Sequence, residues 1–172
     1  SSGIGEALAY DLAAKGARLI LSARRKEELE RVKGNCNREA QSGIRILPLD
    51  LSQSDMMELT TQAAIQIFGH IDILINNGGV SQRSLVAETA LSVDRRIMEV
   101  NYFGAVALTK FLLKHFIARK QGHFVNISSV TGKFGTQYRS GYAASKHALH
   151  GFFDAVRAEH YADNIHVTMI CP

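Results

Sequence analysis

Five short apolar runs limit what this chain can become: residues 18–22 (RLILS), 45–49 (RILPL), 71–75 (IDILI), 122–127 (GHFVNI) and 165–171 (IHVTMIC). The third is nearly all apolar, as parallel strands covered on both faces are. Between the runs lie longer stretches whose apolar residues recur at helical spacing. This regular alternation of strand and helix predicts a parallel α/β sheet with right-handed crossovers. At 172 residues the chain has one domain's worth of length and can bury a sizeable core. It shows no internal repeat, linker or low-complexity segment.

From the start, Gly3-Ile4-Gly5 runs straight into EALAYDLAAKGA, where Ile4, Leu8 and Leu12 form an apolar stripe and Gly16 ends the helix. A glycine turn feeding a helix N-terminus offers unpaired N–H groups and the positive end of the dipole, which suit a phosphate. A lone G-x-G is a weak signal. The first strand ends in Ala23-Arg24-Arg25, with no acid before Glu27. At such a strand end a carboxylate takes an adenosine 2′-OH and an arginine accommodates a 2′-phosphate, so two arginines favour NADP over NAD. The plainer reading is that Arg24 and Arg25 open a solvated helix, and both readings stand at this point.

A charged amphipathic helix is predicted over residues 26–41. The second strand leads to Asp50-Leu51-Ser52, with Ser52 or Ser54 capping a helix that reaches Phe68 and closes at Gly69. The third strand enters Asn76-Asn77-Gly78-Gly79, a turn that lets backbone approach a ligand closely. One long helix is predicted over 92–119, with Val93, Ile97, Val100, Ala107, Leu108, Phe111 and Leu112 on its apolar side. Asn101 interrupts that side, and its plain explanation is a local bond to backbone.

The chemistry concentrates in residues 126–149, NISSVTGKFGTQYRSGYAASKHAL, a strand end and a glycine-broken loop followed by a helix predicted over 141–162. Tyr142 and Lys146, four apart, fall roughly 40° from each other around a helix axis. Ser129 sits at the C-terminal end of the fourth strand, where open α/β sheets bind ligands. A phenol with an ordinary pKa of about 10 is a poor base at neutral pH, and an ammonium one turn away favours the phenolate. Such a pair can give or take a proton while a serine hydroxyl holds the oxygen beside it. Taken alone, Tyr-x-x-x-Lys is more often one face of an ordinary amphipathic helix.

Composition narrows the classes further. A net charge of +4 without a basic tract does not indicate a nucleic-acid surface. Cys36 and Cys171 fit no metal spacing and read as free thiols of a reducing intracellular compartment. No apolar run approaches the roughly eighteen residues of a membrane span, and residues 105–116 carry Lys110 and Lys114.

Taken in order, Ser1-Ser2-Gly3-Ile4-Gly5, Asp50-Leu51, Asn76-Asn77-Gly78-Gly79, Asn101, Ser129, Tyr142 and Lys146 resemble the short-chain dehydrogenase/reductase family along the whole chain. SSGIGEALAYDLAAKGARLILSARRKEELERVK, INNGGVSQRSL and GYAASKHALHGFF look like its dehydrogenase/reductase member 7 branch, with the B and C relatives. The opening T-G of the family's glycine motif is absent. Gly78 stands where alanine is usual, and Gln137 replaces a common proline.

The resemblance implies a single NAD(P)-binding domain over 1–172, a Rossmann-like doubly wound parallel sheet with helices on both faces. It implies hydride transfer between NADP(H), favoured over NAD(H), and a carbonyl or secondary alcohol of a small lipophilic substrate such as a steroid, retinoid or lipid. Tyr142 would be the general acid/base, and Lys146 would assist it and bind the nicotinamide ribose. Ser129 would orient the substrate oxygen, and Asn101 would hold a relay water. Ser2, Gly3, Ile4 and Gly5 would line the pyrophosphate, and Arg24 with Arg25 would pair with the 2′-phosphate. Asp50 and Leu51 would flank the adenine, with Asn77 and Gly78 beside the ribose. The branch also implies endoplasmic-reticulum membrane association through a segment outside this sequence, and homo-oligomerisation of the full-length protein stays open. A non-catalytic nucleotide sensor is the alternative, as is, more remotely, a sugar-nucleotide epimerase. Both ends read as cut, so the first, central strand and the C-terminal strand are expected to be missing, and such a fragment is not expected to fold stably.

Overall fold

The computed structural model describes residues 2–172; Ser1, first residue of the Ser-Ser-Gly-Ile-Gly motif, lies outside them. The chain divides into two compact units. One comprises the residues up to Asp50 with Gln62–Gly69, the other Leu51–Thr61 with His70–Pro172.

The first unit contains α1 (Gly3–Ala14), β1 (Leu19–Leu21), α2 (Lys26–Gly34), α3 (Arg38–Gln41) and β2 (Ile44–Ile46). β1 and β2 pair in parallel, Leu19 opposite Ile44 and Leu21 opposite Ile46. The pairing continues as Leu47 and Leu49 N–H bond to Leu21 and Ala23 carbonyls, passing over Pro48, which has no N–H to give. Ala13, Cys36 and Ile44 form the core here, with Tyr10, Leu19, Leu21 and Ala40 packed on it. Gly16 ends α1 as its sequence predicts: at φ +80° it turns the chain so that its N–H and that of Ala17 reach Ala13 and Leu12 carbonyls. The single helix predicted over 26–41 is two. Gly34, Asn35 and Asn37 fall within four positions, and such residues favour turns and caps over helix interiors. Asn37 accordingly caps α3, its side chain accepting the Ala40 N–H at 2.9 Å.

The second unit holds a 3₁₀ turn at Ser54–Met56, the first turn of α4 (Met57–Phe68), β3 (Ile73–Asn76) and α5 (Leu91–Met98). It continues through α6 (Gly104–Arg119), β4 (Gly122–Ile127), α7 (Ser140–Glu159) and β5 (Ile165–Ile170). β3, β4 and β5 form a parallel sheet in that order, Ile73 opposite His123 and Gly122 opposite Ile165. Its core is a run of aromatic rings, with Phe116 to Phe124 at 4.9 Å and Phe124 to Phe153 at 6.1 Å between centroids. All three are fully buried, and Gly122 carries no side chain because the Phe116 ring occupies that space.

Three expectations change in this unit. Gln53 rather than Ser54 sits at the N-cap of the turn that leads into α4. Val93 is exposed, whereas Ile97, Val100 and Leu112 are buried as expected. The helix predicted over 92–119 is interrupted by a π-helical turn at Glu99–Phe103, which carries Asn101 at its centre. A π turn inserts an extra residue and rotates everything after it, a device that recurs at functional sites. Among the described residues the strands form two parallel sheets, β1–β2 in the first unit and β3–β4–β5 in the second.

Candidate active site

α7 presents the two groups that the spacing placed together. It begins at Ser140, and its N-cap residue, Arg139, makes no side-chain cap. Helix starts leave several N–H groups without intrahelical partners. A loop residue supplies one here: buried Gln82 accepts the Tyr142 N–H at 3.0 Å through Oε1 and donates to Ser140 Oγ at 3.1 Å through Nε2. Gly141 makes room, since a Cβ there would run into Asp94 Oδ1. Two cations flank the half-buried Tyr142 ring, Lys146 Nζ at 5.7 Å and the Arg139 guanidinium at 5.8 Å from its centroid, within cation–π range. Arg139 is held there by a bond to Ser81 Oγ.

Lys146 is 4% exposed. Burial pushes its ammonium down to about 8, because removing a charge from water favours the neutral amine. Its Nζ donates to the Ile127 carbonyl at 2.8 Å, which ties α7 to the end of β4, two residues before Ser129. Ser129 is half-buried and caps the 3₁₀ turn Val130–Gly132, its Oγ accepting the Thr131 N–H at 3.3 Å. That bond uses an oxygen lone pair and leaves the hydroxyl proton to give.

Asn101 does not bond locally. Its Oδ1 accepts the Val80 N–H at 2.7 Å, and its Nδ2 donates to the Val80 carbonyl at 2.9 Å and to Ser145 Oγ at 3.0 Å. Ser145 in turn donates to the Tyr142 carbonyl at 2.7 Å. The side chain thus clamps the Asn76–Gly79 turn onto α7. The backbone of Gly79 packs against the same pair: a Cβ there would sit 3.2 Å from Asn101 Oδ1 and 3.8 Å from Lys146 Nζ. Leu51 reaches the same turn, because its Cδ1 fills the space a Cβ on Gly78 would take. Leu51, Asn77, Gly78, Asn101, Ser129, Tyr142 and Lys146 all belong to this unit.

Ser2, Gly3, Ile4, Gly5, Arg24, Arg25 and Asp50 belong to the other unit. There Ser2 stands at the N-cap of α1 without a side-chain cap bond, Gly3 takes φ +56°, and the space beside Gly3 is open. The open space beside Gly3 at this helix start is compatible with a pyrophosphate against the backbone. Arg24 and Arg25 are exposed between β1 and α2. Among the described residues no cluster of His, Cys, Asp and Glu is suited to a metal, and no helix is long and apolar enough to cross a membrane. Gln82 and Ser145 escaped the sequence reading. Gln82 lies sixty positions from its partner in an irregular loop, and Ser145 resembles any small helix residue.

The whole chain, residues 1–172, matches the model of the short chain dehydrogenase family. It is similar to human dehydrogenase/reductase SDR family member 7, 51% identical over 176 residues that cover 100% of this chain and 52% of that protein. To the mouse member 7B it is 42% identical over 175 residues, covering 100% of this chain and 54% of that protein. The chain thus spans about half the length of these curated relatives. Among solved structures, a short-chain dehydrogenase from Streptomyces avermitilis superposes with a TM-score of 0.93 at 29% identity, over 99% of this chain and 62% of that one. ElxO with NADP bound superposes with a TM-score of 0.89 at 25% identity, over 98% of this chain and 67% of that one.

Proposed function

The chain belongs to the short-chain dehydrogenase/reductase family, whose cofactor is NAD(P)(H), and from that premise we propose an NADP(H)-dependent oxidoreductase that interconverts a carbonyl and a secondary alcohol. The observation that carries this reading is the buried Lys146 ammonium, bonded to the end of β4 and 5.7 Å from the Tyr142 ring. A cation that costs this much to bury is kept where a charge is used.

A bound nicotinamide dinucleotide supplies the hydride. The residues of this chain handle the proton and the positions. The Tyr142 hydroxyl gives its proton to the carbonyl oxygen in reduction and takes it back in oxidation. The Lys146 charge stabilises the phenolate left behind and binds the nicotinamide ribose. The Ser129 hydroxyl donates to the same substrate oxygen. Both amide hydrogens of Asn101 are engaged by Val80 and Ser145, so it would hold a relay water through an oxygen acceptor. Ser2, Gly3, Ile4 and Gly5 would receive the pyrophosphate, Asp50 and Leu51 the adenine, and Asn77 and Gly78 the ribose. Residues 1–172 then act as one nucleotide-binding domain.

Three finer points belong to the proposal. Arg24 and Arg25, exposed just past β1 with no acid before Glu27, support NADP(H) over NAD(H). Val130, Phe134 and Tyr138, 45%, 56% and 44% exposed in the loop after Ser129, support a lipophilic steroid-, retinoid- or lipid-like substrate. Association with the endoplasmic-reticulum membrane is proposed for the full-length protein through its likeness to member 7 and 7B.

The test is Tyr142→Phe in the full-length protein, assayed with NADPH against steroid, retinoid and lipid carbonyls. Turnover should vanish while NADPH affinity stays within about twofold, since only the proton donor is lost. A variant reducing its substrate near the wild-type rate would refute the assignment.

A further inference from the structure

His150 stands one turn beyond Lys146 on α7, continuing the face that carries Tyr142. It is only 9% exposed, and both of its ring nitrogens are engaged. Nε2 lies 3.0 Å from Ser128 Oγ, and Nδ1 lies 3.3 Å from Lys133 Nζ. Ser128 immediately precedes Ser129, and Lys133 closes the 3₁₀ turn that Ser129 opens. The turn packs directly on the imidazole: a Cβ on Gly132 would lie 2.7 Å from Ser128 Oγ and 3.1 Å from His150 Nε2. We propose that His150 is a positioning residue that grips both ends of the Ser129 turn and so sets where the Ser129 hydroxyl meets the substrate oxygen. The kinetic part of this proposal rests on the function proposed above.

The contacts dictate a single proton arrangement. An ammonium donates and cannot accept, so Nδ1 must be the bare acceptor for Lys133. Nε2 therefore carries the hydrogen and donates to Ser128 Oγ, with Cys171 Sγ its second neighbour at 3.7 Å. Only neutral imidazole makes both bonds. A proton on Nδ1 would remove the acceptor and set two cations 3.3 Å apart. In contact with the ring are Lys133 from the turn and Cys171 after β5, and His147, Asp154 and Arg157 on α7 act on it electrostatically. Burial first, then Lys133, hold the imidazole below its ordinary range, with His147 and Arg157 adding to this and Asp154 opposing. The grip is therefore closed at neutral pH and opens in acid.

Nitrogen NMR of His150 in the full-length protein should show the Nε2–H tautomer at pH 7.5, with a pKa that rises in Lys133→Met. In kinetics, His150→Phe should lower kcat roughly tenfold or more, the scale on which displaced reacting groups slow enzymes, while the NADPH Kd is unchanged. His150→Gln, which restores a donor toward Ser128, should recover part of the loss. Lys133→Met, which removes the one contact that protonation breaks, should lower kcat at neutral pH and flatten the acidic limb of its profile. An Nδ1–H tautomer, a pKa indifferent to Lys133→Met, or a folded His150→Phe with wild-type kcat would overturn the proposal. The tautomer and its response are read without turnover, so a protein that reduces no carbonyl refutes the proposed function and leaves the grip itself decided by NMR.

Discussion

Lys146→Met exposes the electrostatic cost at the centre of the site. Burial lowers the lysine from 10.5 to about 8, and at about 1.4 kcal/mol per pH unit the charged side chain costs the fold about 3 kcal/mol. Because the pKa is depressed on folding, the folded state binds fewer protons than the unfolded state between pH 8 and 10.5. Stability conferred by this group therefore rises with pH through that window and is lowest below it. Methionine fills a similar volume without charge but leaves the Ile127 carbonyl without its donor, at a cost of about 1–3 kcal/mol. At pH 7 the variant should thus equal or exceed wild type by up to about 2 kcal/mol, and at pH 10.5 it should be weaker by about 1–3 kcal/mol. Urea unfolding of cofactor-free, full-length protein across pH 7–10.5 reads this directly, since every other titration cancels in the difference. A stability difference that does not change with pH would show that Lys146 is not buried as a charge. Turnover should be lost at every pH, the usual exchange of stability against function at a strained site.

Arg24→Ala should weaken NADPH binding about tenfold and leave NADH unchanged, as expected for one lost charge-assisted contact; fluorescence titration of both cofactors checks it, and equal losses would count against the 2′-phosphate role. Asn101→Ala removes bonds to Val80 and Ser145 together and should cost about 2–4 kcal/mol in urea unfolding. Gly104→Ala should cost about 1–3 kcal/mol, because the new Cβ would meet the Leu51 carbonyl, which is backbone and cannot swing away. Gly34→Ala, at the end of α2 with open space around it, should instead stabilise by about 0.4–1 kcal/mol.

Much of the site was legible in the chain, for reasons of period. Tyr142 and Lys146 share a face because a helix repeats every 3.6 residues, and Ser129 falls at a strand end because residues 122–127 could be little else. The end of α1 was equally plain, since Gly16 marks a conformation that other residues rarely take. The break inside residues 26–41 was overlooked because apolar spacing continued across Gly34 and Asn37, whose preference for turns then prevailed.

The sequence by itself determined the order of the five strands, the shared face of Tyr142 and Lys146 and the glycine turns, since each depends on residues close in the chain. Tertiary structure decided what those residues are worth. Asn101 became a clamp through partners twenty-one and forty-four positions away. Gln82 became the cap of α7 from sixty positions away. Lys146 became a costly buried cation only when the end of β4 and the Gly79 backbone closed around it. His150 gains both of its ring partners, Ser128 and Lys133, only from the turn packed on it. Periodicity reports which face a side chain occupies; desolvation and hydrogen bonding depend on what lies against that face, and those partners are brought there only by the fold.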